Sequence, residues 1–245
     1  MGDRSAESWY PTAAYLYVLH LDGLALAWEY LRRHPGYRLD WLRHHHRPAT
    51  ARQVAQRWGL RLLEDPGLDA RDAHPAWEPG HPAVVQLYPD VDPPRDAATF
   101  SVWNLPGHKQ LIHDGKGLAL IARGPGHCAR FALAPGLGDG MAVAYACRGS
   151  GGGGGAAPAR SATPAAARPR PAPSALMELH TLQALDATLA GASLREVAEG
   201  LFGVDAAADW YTNGGLRSKT RRLVRRGDAL MRGGYRHLAR TPPPG

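Results

Sequence analysis

The sequence predicts an α+β protein in three parts, and three observations carry the prediction. Apolar residues recur at spacings of three and four through the first quarter of the chain, the mark of amphipathic helices. Between about residues 83 and 148 the pattern changes to short runs rich in β-formers, separated by glycine and proline turns. A glycine- and proline-rich tract follows, and beyond it the helical period returns with a dense run of basic residues. The parts are an α+β region over 1–148 (helical over 9–64, mainly β over 83–148), a flexible linker over 149–174 and a helical module over 175–240.

In the first part, Thr12, Tyr15, Leu16 and Leu19, then Leu24, Ala27, Trp28 and Leu31, give two helices with a break at Asp22-Gly23, and Pro35-Gly36 stops the pattern. A short helix over 49–58, a strand-like 60–63 and the turn Asp65-Pro66-Gly67 complete a small helical subdomain. Six β-rich runs come next, over 83–88, 99–103, 109–113, 118–123, 127–132 and 141–147. Asp114-Gly115-Lys116-Gly117 is a hairpin signal, and Gly124-Pro125-Gly126 and the stretch 135–140 are further turns, so a mainly antiparallel sheet is expected. Five consecutive glycines and the Ala/Pro/Arg-rich run 156–173 carry almost no large apolar side chain, so burial cannot offset the entropy of ordering them.

In the last part, Leu176, Leu179, Leu182, Leu185 and Leu189 mark a first helix that ends near Gly191. Ser193 with Glu196 three residues on is a capping box; Leu194, Val197, Ala198, Leu201 and Phe202 form the stripe of a second helix, which Gly203 closes. Leu216, Thr220, Leu223, Val224, Gly227, Leu230 and Met231 give a third helix over 216–231 its inward stripe. About a dozen residues separate the second and third helices, where a helix-turn-helix uses about three or four, leaving room for a wing-like loop or a short extra helix.

Charge distinguishes this third helix. The whole chain carries a formal +7, yet residues 216–240 hold nine bases against the single acid Asp228, so the remainder is nearly neutral. Arg217, Arg221 and Arg225 stack at i, i+4 off the apolar stripe, and Lys219, Arg222 and Arg226 project from the rest of the solvated arc. Like charges so placed repel, and an anion relieves them; DNA phosphate is the obvious one. Two supporting helices followed by a basic third match the helix-turn-helix plan, and the helix lacks the exposed Trp or Phe of a membrane-interface anchor. Arg217, Lys219, Arg221 and Arg222 are assigned to base readout or near contacts, and Arg225 and Arg226 to phosphates. Six phosphate contacts would give log affinity against log salt a slope of about −5.

Other constellations fall away. His44-His45-His46 near Asp40 point in different directions within an expected loop, and His74, Glu78 and His81 lie among prolines that preclude helical zinc spacing, so no metal is expected. The glycines at 136–140 and 115–117 lack nucleotide-fingerprint spacing and belong to hairpin turns. Cys128 and Cys147 make neither a disulfide framework nor a CxxC pair and are expected as reduced thiols. Trp28, Trp41, Trp58, Trp77 and Trp103 are expected as core or interface aromatics. No nucleophile–base pair is visible, so neither an enzyme nor a cofactor is expected. Asp3 and Glu7 stand where a signal peptide needs a basic start, and no 18 apolar residues run uninterrupted; the expectation is a cytoplasmic protein with no membrane partner.

Two stretches are also familiar. Residues 27–33 (Ala-Trp-Glu-Tyr-Leu-Arg-Arg) with Tyr37, Trp58-Gly59-Leu60-Arg61 and Asp65-Pro66 resemble a bacterial transcriptional-regulator-like domain, and 216–226 with Gly233-Gly234-Tyr235-Arg236 resembles the DNA-binding domain of RovC-like type VI secretion transcription factors. The resemblance implies a transcription factor; relatives regulate type VI secretion genes or conjugative transfer of integrative elements, some as activators and some as antiactivators that bind the activator. Double-stranded DNA is the expected partner, with RNA polymerase, another regulator or a second copy of the chain as further ones. The competing expectation is an antiactivator whose basic face docks on another regulator without touching DNA.

Overall fold

Five of the six β-rich runs become strands of one mixed sheet in the computed structural model of the chain, which describes residues 9, 11–79, 84–113, 115, 117–124, 127–146, 173–208, 210–212 and 214–238. They are β1 (Val85–Pro89), β2 (His108–His113), β3 (Leu118–Gly124), β4 (His127–Leu133) and β5 (Val143–Ala146), in the order β2-β3-β4-β1-β5. β2–β3 and β3–β4 are antiparallel, with His113 opposite Leu118 and Gly124 opposite His127, and β5 runs antiparallel to β1. β1 lies parallel to β4, Val85 opposite Phe131. The sheet is thus mainly antiparallel with one parallel pair, because alternation fixes which face a side chain takes and is silent on strand direction.

The helices are a 3₁₀ helix (Thr12–His20), α1 (Gly23–Leu31), α2 (Pro35–His44), α3 (Pro48–Arg57), α4 (Pro173–Leu189), α5 (Leu194–Phe202), α6 (Val204–Ala207), α7 (Gly214–Ala229) and α8 (Tyr235–Leu238). The expected linker lies outside the described residues as far as 172, and its last two residues already belong to α4. The chain divides into two compact units. One gathers the chain up to Pro35, Asp69–Arg71 and the helices from α4 onward; the other holds Gly36–Leu68 and the sheet. The C-terminal helices therefore share a unit with the 3₁₀ helix and α1, which lie at the opposite end of the sequence.

In the sheet unit, Leu87, Phe100, Leu120, Leu133 and Val143 form a buried cluster. The 99–103 run makes no ladder: Thr99 forms an isolated bridge with Ala142, Phe100 buries its ring, and Trp103 stands 80% exposed. From the strand-like 60–63 only Leu60 pairs, with Trp77. Pro35-Gly36 stops α1 as expected but also opens α2, since proline at the first helical position surrenders an N–H that has no partner there. The histidines expected in a loop follow from this: His44 ends α2, and His45 stacks on Trp41 with ring centroids 4.1 Å apart. Tyr37, buried, donates its hydroxyl to the Glu64 carbonyl at 2.6 Å and meets Trp58 edge-to-face, while the Trp58 indole donates to Asp40 at 2.9 Å.

In the helical unit, Asp22 caps α1 through the Ala25 N–H at 2.8 Å, a contact worth about 1 kcal/mol. α4 is the central helix, buried on nearly all sides by the 3₁₀ helix, α5 and α7. Its Leu179, Leu182 and Leu185 are fully buried, each contributing about 1.5–3 kcal/mol. Trp9 joins Ala184, Ala187, Val197, Leu201 and Leu223 in one cluster, and its ring lies where a Cβ on Gly200 of α5 would come within 2.5 Å. The buried amide of Gln183 donates to the Trp9 carbonyl at 3.1 Å and accepts from Thr12 at 3.3 Å. The N-terminal segment thus supplies partners to a polar side chain that α4 buries.

Ion pairs complete this packing. Arg33 binds Asp186 of α4 through two nitrogens at 2.5 and 2.7 Å and Glu29 at 2.5 Å, and Tyr15 donates to Asp186 at 2.8 Å. Glu29, fully buried, also accepts from Arg32 at 2.7 Å and from the Ala70 N–H at 2.6 Å. Burial, the largest single influence, would push both carboxyls up; the charges of Arg33 and Arg32 and the hydrogen bonds the carboxyls accept together outweigh it and hold Asp186 and Glu29 below their ordinary values.

Candidate nucleic-acid interface

α5 begins as the sequence requires: Ser193 accepts from the Glu196 N–H at 3.3 Å and Glu196 returns a bond to the Ser193 N–H at 2.7 Å. Val197, Ala198 and Leu201 face inward, Gly203 turns the chain at φ 91°, and the four-residue α6 fills part of the connector. α7 then packs its Thr220, Leu223 and Gly227 stripe on the core. A Cβ on Gly227 would stand 3.0 Å from Leu185 Cβ and 3.1 Å from the Thr181 carbonyl of α4. The glycine costs about 1 kcal/mol of helix propensity against alanine and permits this close crossing. Beyond α7 the chain widens into a π-type turn over Leu230–Gly234, released by Gly233 at φ 132°, before α8.

The six cations expected to meet DNA separate into two groups. Lys219, Arg221, Arg222 and Arg225 are exposed on the outer side of α7, spread over an arc of about 160° at the helical repeat. Among the described residues none of the four meets a carboxylate within ion-pairing distance. Lys219 rests its ammonium 4.4 Å from the centre of the Phe202 ring of α5. Behind it His180 of α4 meets Phe202 edge-on at 5.7 Å; burial, then the charge of Lys219, lowers its pKa.

Arg217 and Arg226 are half-buried and engaged with the protein. Arg217 donates to the carbonyls of Trp210 and Tyr211 at 3.3 and 3.1 Å, tying the first turn of α7 to the connector before it. Arg226 pairs with Glu178 of α4, whose other oxygen accepts the Tyr30 hydroxyl at 2.9 Å, so this arginine joins α7 to α4 and α1. Burial, reinforced by the charge of Glu178, holds the Tyr30 hydroxyl protonated far above its usual range. The one acid of the basic segment, Asp228, is bound to Arg232 at 2.8 Å.

Two further exposed residues, on α5 and on the connector before α7, belong to no apolar stripe and carry no sequence signal of their own. Tyr211 is 76% exposed, and the guanidinium of Arg195 in the first turn of α5 lies 5.9 Å from its ring centre. Asp209 and Asn213 of the same connector, and Arg240, lie outside the described residues.

Residues 155–240 match the family described as the DNA-binding domain of a type VI secretion transcription factor, of RovC type, and residues 8–62 match a proteobacterial transcriptional regulator-like domain. Residues 82–129, most of the sheet, match a family described only as a domain of unknown function. No curated protein and no solved structure matches the chain. The two described families place the chain among bacterial transcriptional regulators, and both are regulatory rather than catalytic. Among the described residues no helix is long and apolar enough to cross a membrane.

Proposed function

We propose that the chain regulates transcription by binding duplex DNA through the outer face of α7, with Lys219, Arg221, Arg222 and Arg225 on the DNA and Arg217 and Arg226 holding the helix to its supports. The observation that carries this is the unpaired arc itself: four cations on one exposed helix face, backed by α4 and α5 and relieved by no acid among the described residues. Repulsion along that face costs a few tenths of a kcal/mol per pair in the free protein and is removed by phosphate. Of the exposed arginines, Arg221 and Arg222, nearer the start of the helix, would reach base edges, with guanine the commonest target, and Arg225 would meet backbone phosphate.

The test is fluorescence-polarisation binding of the intact protein to the DNA upstream of its own gene and to a scrambled duplex, across a salt series. The four exposed cations of α7, each within phosphate range, contribute about −3.6 to the log–log salt slope, less than six would. The expected result is preference for the native duplex, that slope, and loss of both in Arg221→Ala/Arg222→Ala/Arg225→Ala with the fold intact. A folded wild-type protein that bound neither duplex would transfer the same basic face to an acidic protein partner, as in an antiactivator.

A further inference from the structure

Tyr211 is a large aromatic side chain held in solvent on a fixed mount. Its neighbour Trp210 is buried, and the Trp210 N–H donates to the Ala207 carbonyl at 3.1 Å. Arg217 reaches back from α7 to the Trp210 and Tyr211 carbonyls and lays its guanidinium 5.9 Å from the Trp210 ring centre. The connector is therefore clamped on both sides of Tyr211 while the tyrosine itself points outward. Arg195, itself exposed, donates to Glu199 at 2.9 Å and holds its guanidinium 5.9 Å from the centre of the Tyr211 ring. The ring stays 76% exposed with the Arg195 guanidinium beside it, and fixing its backbone costs entropy. A ligand that meets the ring and its guanidinium partner offsets that cost.

We propose that Arg195 and Tyr211 form a second phosphate clamp, outside α7, which grips the DNA backbone beside the groove that α7 enters, and that Arg217 is the positioning residue that sets the clamp against the helix. This rests on the DNA-binding assignment of α7 above. Guanidinium and phenol are both phosphate donors, and neither can read a base from a phosphate contact. The clamp therefore adds affinity without adding sequence preference. Arg217 spends Nη2 on the connector carbonyls, which makes it a support of the clamp rather than a direct phosphate contact.

The same polarisation assay on the full chain separates these roles. Arg195→Ala is expected to weaken binding about threefold to tenfold on native and scrambled duplexes alike and to make the salt slope shallower by about 0.9. Tyr211→Ala weakens binding over the same range with the slope unchanged, and Tyr211→Phe behaves like it, because the lost group is the hydroxyl. The two losses are less than additive in the double variant, since each residue holds the other. Arg217→Ala, checked for fold by circular dichroism, reproduces the Tyr211→Ala loss with the slope unchanged and adds nothing to it in combination; a slope shallower by about 0.9 would make Arg217 a direct phosphate contact instead. If wild type and the α7 triple variant differ on DNA but Arg195→Ala and Tyr211→Ala match wild type, the clamp alone is wrong. If wild type binds no duplex, the clamp falls together with the assignment it rests on.

Discussion

The junction where α1, α4 and α7 meet and the outer arc of α7 are both built on arginine, and they use it oppositely. At the junction Arg33 is buried against Asp186 and Glu29, and the half-buried Arg226 pairs with Glu178, so each cation is matched by a carboxylate. On the arc Lys219, Arg221, Arg222 and Arg225 stand in solvent with no such match among the described residues. A buried ion pair gains little net stability but is costly to break, because the survivor is left charged and desolvated. An exposed cation can be removed for almost nothing. The same substitution, arginine to alanine, should therefore damage folding at the junction and binding at the arc.

The sharpest way to break that contrast is Arg33→Ala. It takes from Asp186 its cation, leaving the Tyr15 hydroxyl, and from the fully buried Glu29 one of its two arginines, and should lower the stability of the helical unit by about 3–5 kcal/mol in a urea titration. A loss below about 1 kcal/mol would show that the junction carries no more weight than a surface pair. Next in size is the arc itself: removing Arg221, Arg222 and Arg225 together should cost about a hundredfold in DNA affinity, near 1 kcal/mol for each contact, with the melting temperature held. An equal fall in melting temperature would mean that these three side chains serve the fold after all.

Arg226→Ala sharpens the comparison because its residue lies between the two regions. Its side chain is more than a third exposed, so solvent screens part of the pair, and the expected stability loss is about 1–2 kcal/mol, well under that of Arg33→Ala. Affinity for DNA, measured on the folded fraction, should change less than for any residue of the arc. A larger affinity loss than that of Arg225→Ala would return Arg226 to the DNA face.

How far the sequence could have anticipated this depends on whether the partner lies on the same element. The capping box of α5 and the inward stripe of α7 were legible because both ends of each interaction sit within a few residues. α4 was legible as a helix, whereas its burial on all sides was not, since periodicity names a face and gives no account of what covers it. Arg226 shows the limit: it lies two turns beyond Lys219 on one stripe of α7, and only Glu178, from a different helix, makes the far end of that stripe an inside position. The placing of the 3₁₀ helix and α1 in the unit of the C-terminal helices was illegible for the same reason, because Trp9 and Gly200 are matched in shape across nearly the whole chain. α2 was hidden by a proline and glycine that stop one helix and start the next.

Acid should separate the two regions by the smallest but most specific effect. Asp186 and Glu29 sit below their ordinary values of 3.8 and 4.5 in the folded protein, because Arg33, Arg32 and the hydrogen bonds they accept together outweigh the burial that would raise them. The stability they confer is therefore fully present above the ordinary carboxylate range and is lost as pH falls from about 4.5 through their depressed folded values. His180 acts earlier. Burial and Lys219 lower its pKa from 6.5, so the unfolded chain takes up a proton that the folded chain refuses, and stability declines as pH falls below 6.5 until the folded imidazole also charges. A melting-temperature series against pH should thus show a shallow decline below 6.5 and a steeper one below about 4.5. His180→Gln should shrink the first step to the part that His74 carries, whose pKa is likewise lowered by burial and by the charge of Arg123, and Asp186→Asn should start lower at neutral pH and flatten the second. If Asp186→Asn instead matched wild type through the acid range, Arg33 would be held in place by Glu29 alone, and α4 would contribute packing rather than charge to the junction.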